Sequence, residues 1–179
     1  MKTKNVLILL LIASALVLVS CKKDKTDLPL EYKFVLLDTL GNEKTAFNQG
    51  ENIIFSFQVI NKGSEDLYLE KFLPNDEFFR VYNLNTDEGT LDYGKPYEHL
   101  FCEFIAALRV PANDTFKVVI PWYKNSKYTD GYIGCPLETY HSNVGMLNFG
   151  NYYTEFSQSF KIGDIQTEEK HFEINFTIK

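Results

Sequence analysis

Strict alternation between residues 53 and 60 constrains the fold of this chain more than any other feature. Every second residue of the stretch is a large apolar one: Ile53, Phe55, Phe57 and Val59. Successive side chains of a β-strand point to opposite faces, so a period of two predicts a strand with this set facing the core. Residues 116–120 and 172–178 repeat the alternation. The chain is therefore predicted to be built from strands.

Clusters of Gly, Pro, Asn and Asp separate the other apolar runs, which lie at residues 32–37, 67–72, 78–84 and 152–162. Residues 97–108 are ambiguous, since their apolar residues recur at helical spacing while the strands on both sides favour an extended segment. Seven to eight short strands with turns between them are typical of a sandwich. We predict an all-β fold, an immunoglobulin-like antiparallel β-sandwich, over residues 31–179.

The first twenty residues form a separate segment. Lys2 and Lys4 precede an apolar run over residues 6–19, and Cys21 and a charged stretch follow. A basic head, an apolar core and small residues at its end are typical of a secretory signal peptide, and the run is shorter than the roughly 20 residues that cross a bilayer. We predict a cleaved signal peptide at 1–20 and a tether at 21–30; the alternatives are an uncleaved signal anchor and an ordinary secretory signal in which the cysteine is incidental.

The sequence Leu18-Val19-Ser20-Cys21 resembles the lipobox of bacterial lipoproteins, with Ser20 where Gly or Ala is commonest. In that family the cysteine thiol is diacylglycerylated, the peptide is cut just before it, and the new N-terminus carries three acyl chains, palmitate among them. Several chains hold a membrane stably where one does not, so the resemblance implies anchoring through Cys21. Lys22, rather than an aspartate, follows the cysteine, and by analogy with the family this argues against retention in the inner membrane of a Gram-negative cell. The resemblance therefore implies the outer membrane of a cell envelope, on its periplasmic or its surface face.

A second resemblance covers about forty residues, from Gly50-Glu51 through the alternating strand to Asn61 and the next two predicted strands. It is similar to the immunoglobulin-like domains of the intracellular proteinase inhibitor (BsuPI-like) type and to uncharacterised envelope lipoproteins. Phe149-Gly150-Asn151-Tyr152 resembles the entry to a late strand in the same families. The resemblance implies the sandwich fold and, as one alternative function, proteinase inhibition, although no loop matches an inhibitory motif.

The net charge of the chain argues against nucleic acid as a partner. The formal charge is −6, and removal of a leader with two lysines and no acids makes it −8. An acidic chain without a Lys/Arg cluster is not expected to bind nucleic acid.

Cys102 and Cys135 remain after Cys21, and an oxidising compartment favours a disulfide between them, with two buried thiols as the alternative.

Motifs for catalysis are missing from the sequence. It contains no G-x-S-x-G, H-E-x-x-H or phosphate-binding loop. His99, His141 and His171 share no metal-ligand spacing, so neither a metal site nor a cofactor is predicted, and His171 is expected on the outward side of the last strand. We therefore expect a protein that is not an enzyme.

The longest unpatterned region begins near the chain's single tryptophan and is rich in aromatic residues, namely Trp122, Tyr123, Tyr128, Tyr132 and Tyr140. Long loops in compact domains are often functional, and aromatic faces suit both sugars and protein partners. The alternative is that these rings cover one end of the sandwich. The sequence thus predicts a lipid-anchored binding module for an envelope protein or a polysaccharide, with proteinase inhibition as the alternative.

Substitution of the predicted lipidation site tests the anchor. Cys21→Ala is expected to release the protein from the membrane fraction or to leave it unprocessed, because no thiol is left to carry the diacylglyceryl group. Cell fractionation and intact-protein mass measurement check this. An unchanged membrane fraction and mass would contradict lipidation at Cys21.

Overall fold

The computed structural model describes residues 28–70, 76–84, 89–97, 107–123 and 145–179. Within these ranges the chain forms strands, turns and extended segments, and none of the described residues is helical. The strands are β1 (Leu30–Leu37), β2 (Ala46–Phe47), β3 (Ile54–Asn61), β4 (Leu67–Glu70), β5 (Val81–Asn83), β6 (Leu91–Gly94), β7 (Ala107–Val110), β8 (Thr115–Pro121), β9 (Gly150–Gln158), β10 (Lys161–Ile162), β11 (Ile165–Gln166) and β12 (Lys170–Ile178).

The strands form three sheets. Their orders are β1-β3-β8, β11-β10-β4-β7 and β2-β12-β9-β5-β6. Neighbouring strands are antiparallel except β2 and β12, which run parallel through the register pair Ile178 and Phe47. The predicted all-β, antiparallel architecture is confirmed. The immunoglobulin-like strand arrangement stays a prediction.

Aromatic side chains join the three-stranded and five-stranded sheets face to face. The Phe57 ring of β3 meets Phe156 of β9 at 5.5 Å and Phe172 of β12 at 5.3 Å between ring centroids, both edge to face. Edge-to-face pairs align the positive ring edge with the negative ring face and add to the gain from burial. Leu69 of β4 and Val110 of β7 are buried in the same core, so the four-stranded sheet also contributes to it.

The alternating segments behave as predicted, with one addition. Ile53, Phe55, Phe57 and Val59 are buried, and in β12 Phe176 and Ile178 are buried while His171 is exposed. On the opposite face of β3, Ile54 and Ser56 are buried as well. This strand is central in its sheet, and Ser56 lies in register between Val35 and Val119. Apolar neighbours on both sides therefore help to cover the second face.

Residues 78–84 differ from the predicted single strand. Residues 76–79 form a turn, and β5 begins only at Val81. Phe78 and Phe79 are both fully buried and stack at 4.0 Å, and Phe79 has a φ of 60°. Consecutive side chains of a strand point to opposite faces. A turn with one left-handed residue instead sends both rings into the same core.

The predicted strand at residues 152–162 is two strands in different sheets. β9 ends at Gln158, and the chain crosses to pair Lys161 of β10 with Glu70 of β4. Gly163, at a φ of 56°, turns β10 into β11. In the ambiguous stretch, residues 107–110 form β7, and residues 98–106 lie outside the described residues.

Asn61, at the end of the alternating strand, is a fully buried side chain whose amide nitrogen and oxygen are both hydrogen-bonded. Its Nδ2 donates to the backbone oxygens of Glu65, Val110 and Pro111 at 2.7–3.1 Å, and its Oδ1 accepts the Gly63 amide at 2.9 Å. One side chain thus joins the end of β3 to the turns that lead into β4 and out of β7. At the other end of the strand, the Glu51 carboxylate accepts the Asn48 amide at 2.8 Å and closes the turn that precedes β3.

Removal of the Asn61 amide is expected to lower the free energy of unfolding by about 2–3 kcal/mol in Asn61→Ala, because buried carbonyls lose their donor. Urea unfolding followed by circular dichroism measures it. Asn175→Ala is the control, since Asn175 is exposed on β12 and its loss is expected to cost no more than about 0.5 kcal/mol. Equal losses for the two variants would contradict the role given to Asn61.

Candidate functional site

The strand directions define two ends of the sandwich. β1 begins at Leu30 beside the end of β3, at Asn61, and this is the proximal end, where the N-terminal segment enters. β1, β8 and β12 all finish at the opposite, distal end, since Leu37 and Pro121 both lie in register with Ile54. The end of β12 lies there too, because its parallel partner β2 follows directly on the turn after β1.

The distal end carries most of the large apolar side chains that the described residues leave exposed. Leu40, at 83% exposure, lies in the turn after β1, and Phe149, at 67%, precedes β9. Leu84 follows β5, and its amide donates to the oxygen of Asn151 beside the start of β9. We call the exposed set the distal apolar side chains: Leu40, Leu84, Leu91, Met146 and Phe149.

Two residues of the predicted aromatic cluster close the core beneath these side chains. Trp122 is buried, packs on Phe55 at 6.0 Å and donates its Nε1 hydrogen to the oxygen of Gly145. Tyr123 is half-buried, and its backbone pairs twice with the Asn52 side chain, at 2.8 and 3.0 Å. The Trp122 ring therefore faces protein, whereas part of Tyr123 faces solvent.

Tyr128, Tyr132 and Tyr140 lie outside the described residues, as do Cys21, Cys102 and Cys135. The predicted lipidation, the predicted disulfide and three of the five predicted aromatic contacts therefore stay predictions. None of the described residues belongs to a helix long and apolar enough to span a membrane.

A second group of polar and aromatic side chains occupies the outer face of the five-stranded sheet near β5. Tyr82 of β5 and Tyr153 of β9 lie in register and stack at 5.0 Å. The Tyr82 hydroxyl donates to the Glu77 carboxylate. Burial, and then this bond to an anion, raises the pKa of Tyr82 well above its usual value. The two rings form a half-exposed aromatic pair, and the Tyr82 hydroxyl is already hydrogen-bonded to Glu77.

Arg80 holds the turn before β5 in place. Its guanidinium bonds Asp76 and, at 2.6 Å, Asp92 of β6. Lys95 also bonds Asp76, and that hydrogen bond lowers the pKa of the Asp76 carboxyl, helped by the charges of Lys95 and Arg80. The charges of this network are mutually satisfied, which indicates a structural role rather than an open binding site for an ion.

Comparisons of the chain with protein-family models, with curated proteins and with solved structures found no match. The arrangement of the strands defines the class of protein, an all-β sandwich with exposed apolar side chains gathered at its distal end.

Sequence reasoning did not single out the distal apolar side chains. Leu84 and Phe149 are 65 residues apart, and only the pairing of β5 with β9 brings the segments together. For these two residues a signal did exist, because Leu84 ends a predicted strand and Phe149 precedes one, and an apolar residue beside a turn is often left outside the core.

The partly and fully buried tyrosines predict a loss of stability at high pH. Burial raises the pKa of Tyr32, Tyr97 and Tyr123, and burial with the neighbouring Tyr93 raises the pKa of Tyr152 to about 12. The folded state holds these protons more tightly than the unfolded state does. The contribution of these tyrosines to the free energy of unfolding is therefore complete below pH 10 and is lost as the pH rises toward 12.

Urea titrations between pH 8 and 12 measure the expected fall in the free energy of unfolding. Tyr152→Phe should make the fall shallower, because one raised group is gone, and the exposed Tyr68→Phe serves as the control. A free energy that stays constant to pH 12 would contradict the prediction.

Proposed function

We propose that the protein is a lipid-anchored, non-enzymatic interaction module of the cell envelope, and that its distal end contacts a protein partner. The observation that carries the proposal is the difference between the two ends of the domain. The chain enters at the proximal end near Leu30, and the distal apolar side chains lie at the other end.

The geometry suits an anchored module. β1 and β12 have eight and nine residues, so at about 3.3 Å per residue the two ends of the sandwich are about 25–30 Å apart. An anchor at Cys21, followed by the tether, would hold the proximal end toward the lipid and present the distal end away from it. A partner would then reach the distal apolar side chains without competing with the membrane.

The character of the exposed residues favours a protein partner over a polysaccharide. Four of the five distal apolar side chains are aliphatic or thioether groups, which bury well against protein but offer no ring for a sugar to stack on, and Phe149 supplies the one ring of the set. Exposed apolar side chains gathered at one end are typical of interaction surfaces, whereas scattered ones need no explanation.

Site-specific photo-crosslinking in intact envelopes tests the proposal. A photoreactive residue at position 149 of the full chain is expected to give a discrete adduct with a second protein. The same residue at position 68 is the matched control, because Tyr68 is also exposed, at 52%, but lies on β4 away from the distal end. Leu84→Asp should reduce the adduct at position 149 about tenfold or more, by placing a charge in the contact.

Adducts of equal yield from positions 149 and 68, or none from either, would contradict a distal contact. Inhibition of serine or cysteine proteases by the purified chain would favour the proteinase-inhibitor alternative instead.

A further inference from the structure

We infer that the outer face of the five-stranded sheet carries a binding site for a divalent transition-metal cation, formed by Glu155, His171 and Glu173. One ligand atom from each of the three residues lies within 4.8 Å of the others. The site is independent of the distal apolar side chains.

Strand pairing builds this site from residues that the sequence leaves apart. Glu173 lies two residues after His171 on β12, so both side chains point outward on the same face. The register of β9 with β12 places Glu155 directly opposite Glu173, and Ser157 directly opposite His171. The histidine spacing alone gave no sign of a site, because the third ligand comes from another strand.

The distances are close to those of a metal site. His171 Nε2 is 3.6 Å from Glu155 Oε2 and 3.9 Å from Glu173 Oε2. With bonds of about 2.0–2.1 Å to a tetrahedral Zn²⁺, neighbouring ligand atoms lie about 3.3 Å apart. The two histidine–carboxylate distances exceed this value by a few tenths of an ångström, and all three ligand atoms lie within 4.8 Å of one another, so rotation of the partly exposed side chains would close the set. All three side chains are partly open to solvent, which leaves a fourth position for water.

The surrounding groups orient the ligands. Ser157 Oγ lies 3.4 Å from His171 Nδ1, so the other ring nitrogen is left to face the carboxylates. Asn175 Nδ2 donates to Glu173 Oε1 at 3.1 Å, which leaves Oε2 as the oxygen toward the site. Metal-binding imidazoles and carboxylates are held in this way by a second hydrogen bond.

The charges favour a cation at this position. Two glutamates directly opposite each other on neighbouring strands repel, which costs stability. In the part of the chain that the structure describes, neither glutamate forms an ion pair with a lysine or an arginine. A bound divalent cation would remove the repulsion. An imidazole together with two carboxylates suits Zn²⁺ or its neighbours in the first transition row, and suits Mg²⁺ or Ca²⁺ less well.

Zn²⁺ titration of the metal-free full chain, purified in detergent, tests the inference. Calorimetry is expected to show one saturable site per chain that Mg²⁺ and Ca²⁺ do not occupy. At a free Zn²⁺ concentration about a hundredfold above the Kd, the Tm should rise by roughly 5–10 °C.

Three ligand variants and two controls locate the site. His171→Ala should abolish the Tm shift, and Glu155→Gln and Glu173→Gln should each weaken Zn²⁺ binding about tenfold or more. His99→Ala and His141→Ala remove the chain's other two histidines, which are not part of the site, and should keep full affinity. The ligand residues are partly exposed, so their variants are expected to fold, which circular dichroism checks. No saturable binding, binding unchanged in His171→Ala, or an equal response to Mg²⁺ would overturn the inference.

Discussion

Packing around the Phe57 ring is the interaction on which the rest of the structure depends. The ring meets Tyr32 from its own sheet, Phe156 and Phe172 from the five-stranded sheet, and Phe78 from the turn before β5. These contacts bring elements from distant parts of the chain to one point. Burial of such large rings is the dominant stabilising term for a domain of this size. The turns and hydrogen bonds then fix how the strands leave that point.

Local sequence patterns predicted those parts of the fold in which local physics decides the outcome. Alternation located β3, β8 and β12 and their buried faces, because the strand period is a property of the backbone. The pattern failed at Phe78 and Phe79, where two adjacent rings enter one core. An extended chain cannot do this, and the left-handed conformation of Phe79 follows from tertiary packing rather than from the residue's own preference.

The candidate sites were less predictable because they depend on pairing between distant strands. Glu155 and His171 approach each other only through the register of β9 with β12. Trp122 shows the opposite error. Its position beside an unpatterned stretch predicted a binding residue, but its ring is buried in the core. Composition and spacing identify residues able to bind. Which of them face solvent together is decided by topology.

The single parallel pair, β2 with β12, has a further consequence. It covers the free edge of β12 only at Thr177 and Ile178, so within the described residues the edge from Lys170 to Asn175 has no strand beside it. Uncovered edges invite strand addition by other chains and then aggregation. Charged side chains line this edge, and Lys170 is held over the Tyr32 ring at 5.1 Å. A crowded population of these molecules would therefore resist edge-to-edge polymerisation even though, among the described residues, about two-thirds of this edge of β12 has no neighbouring strand.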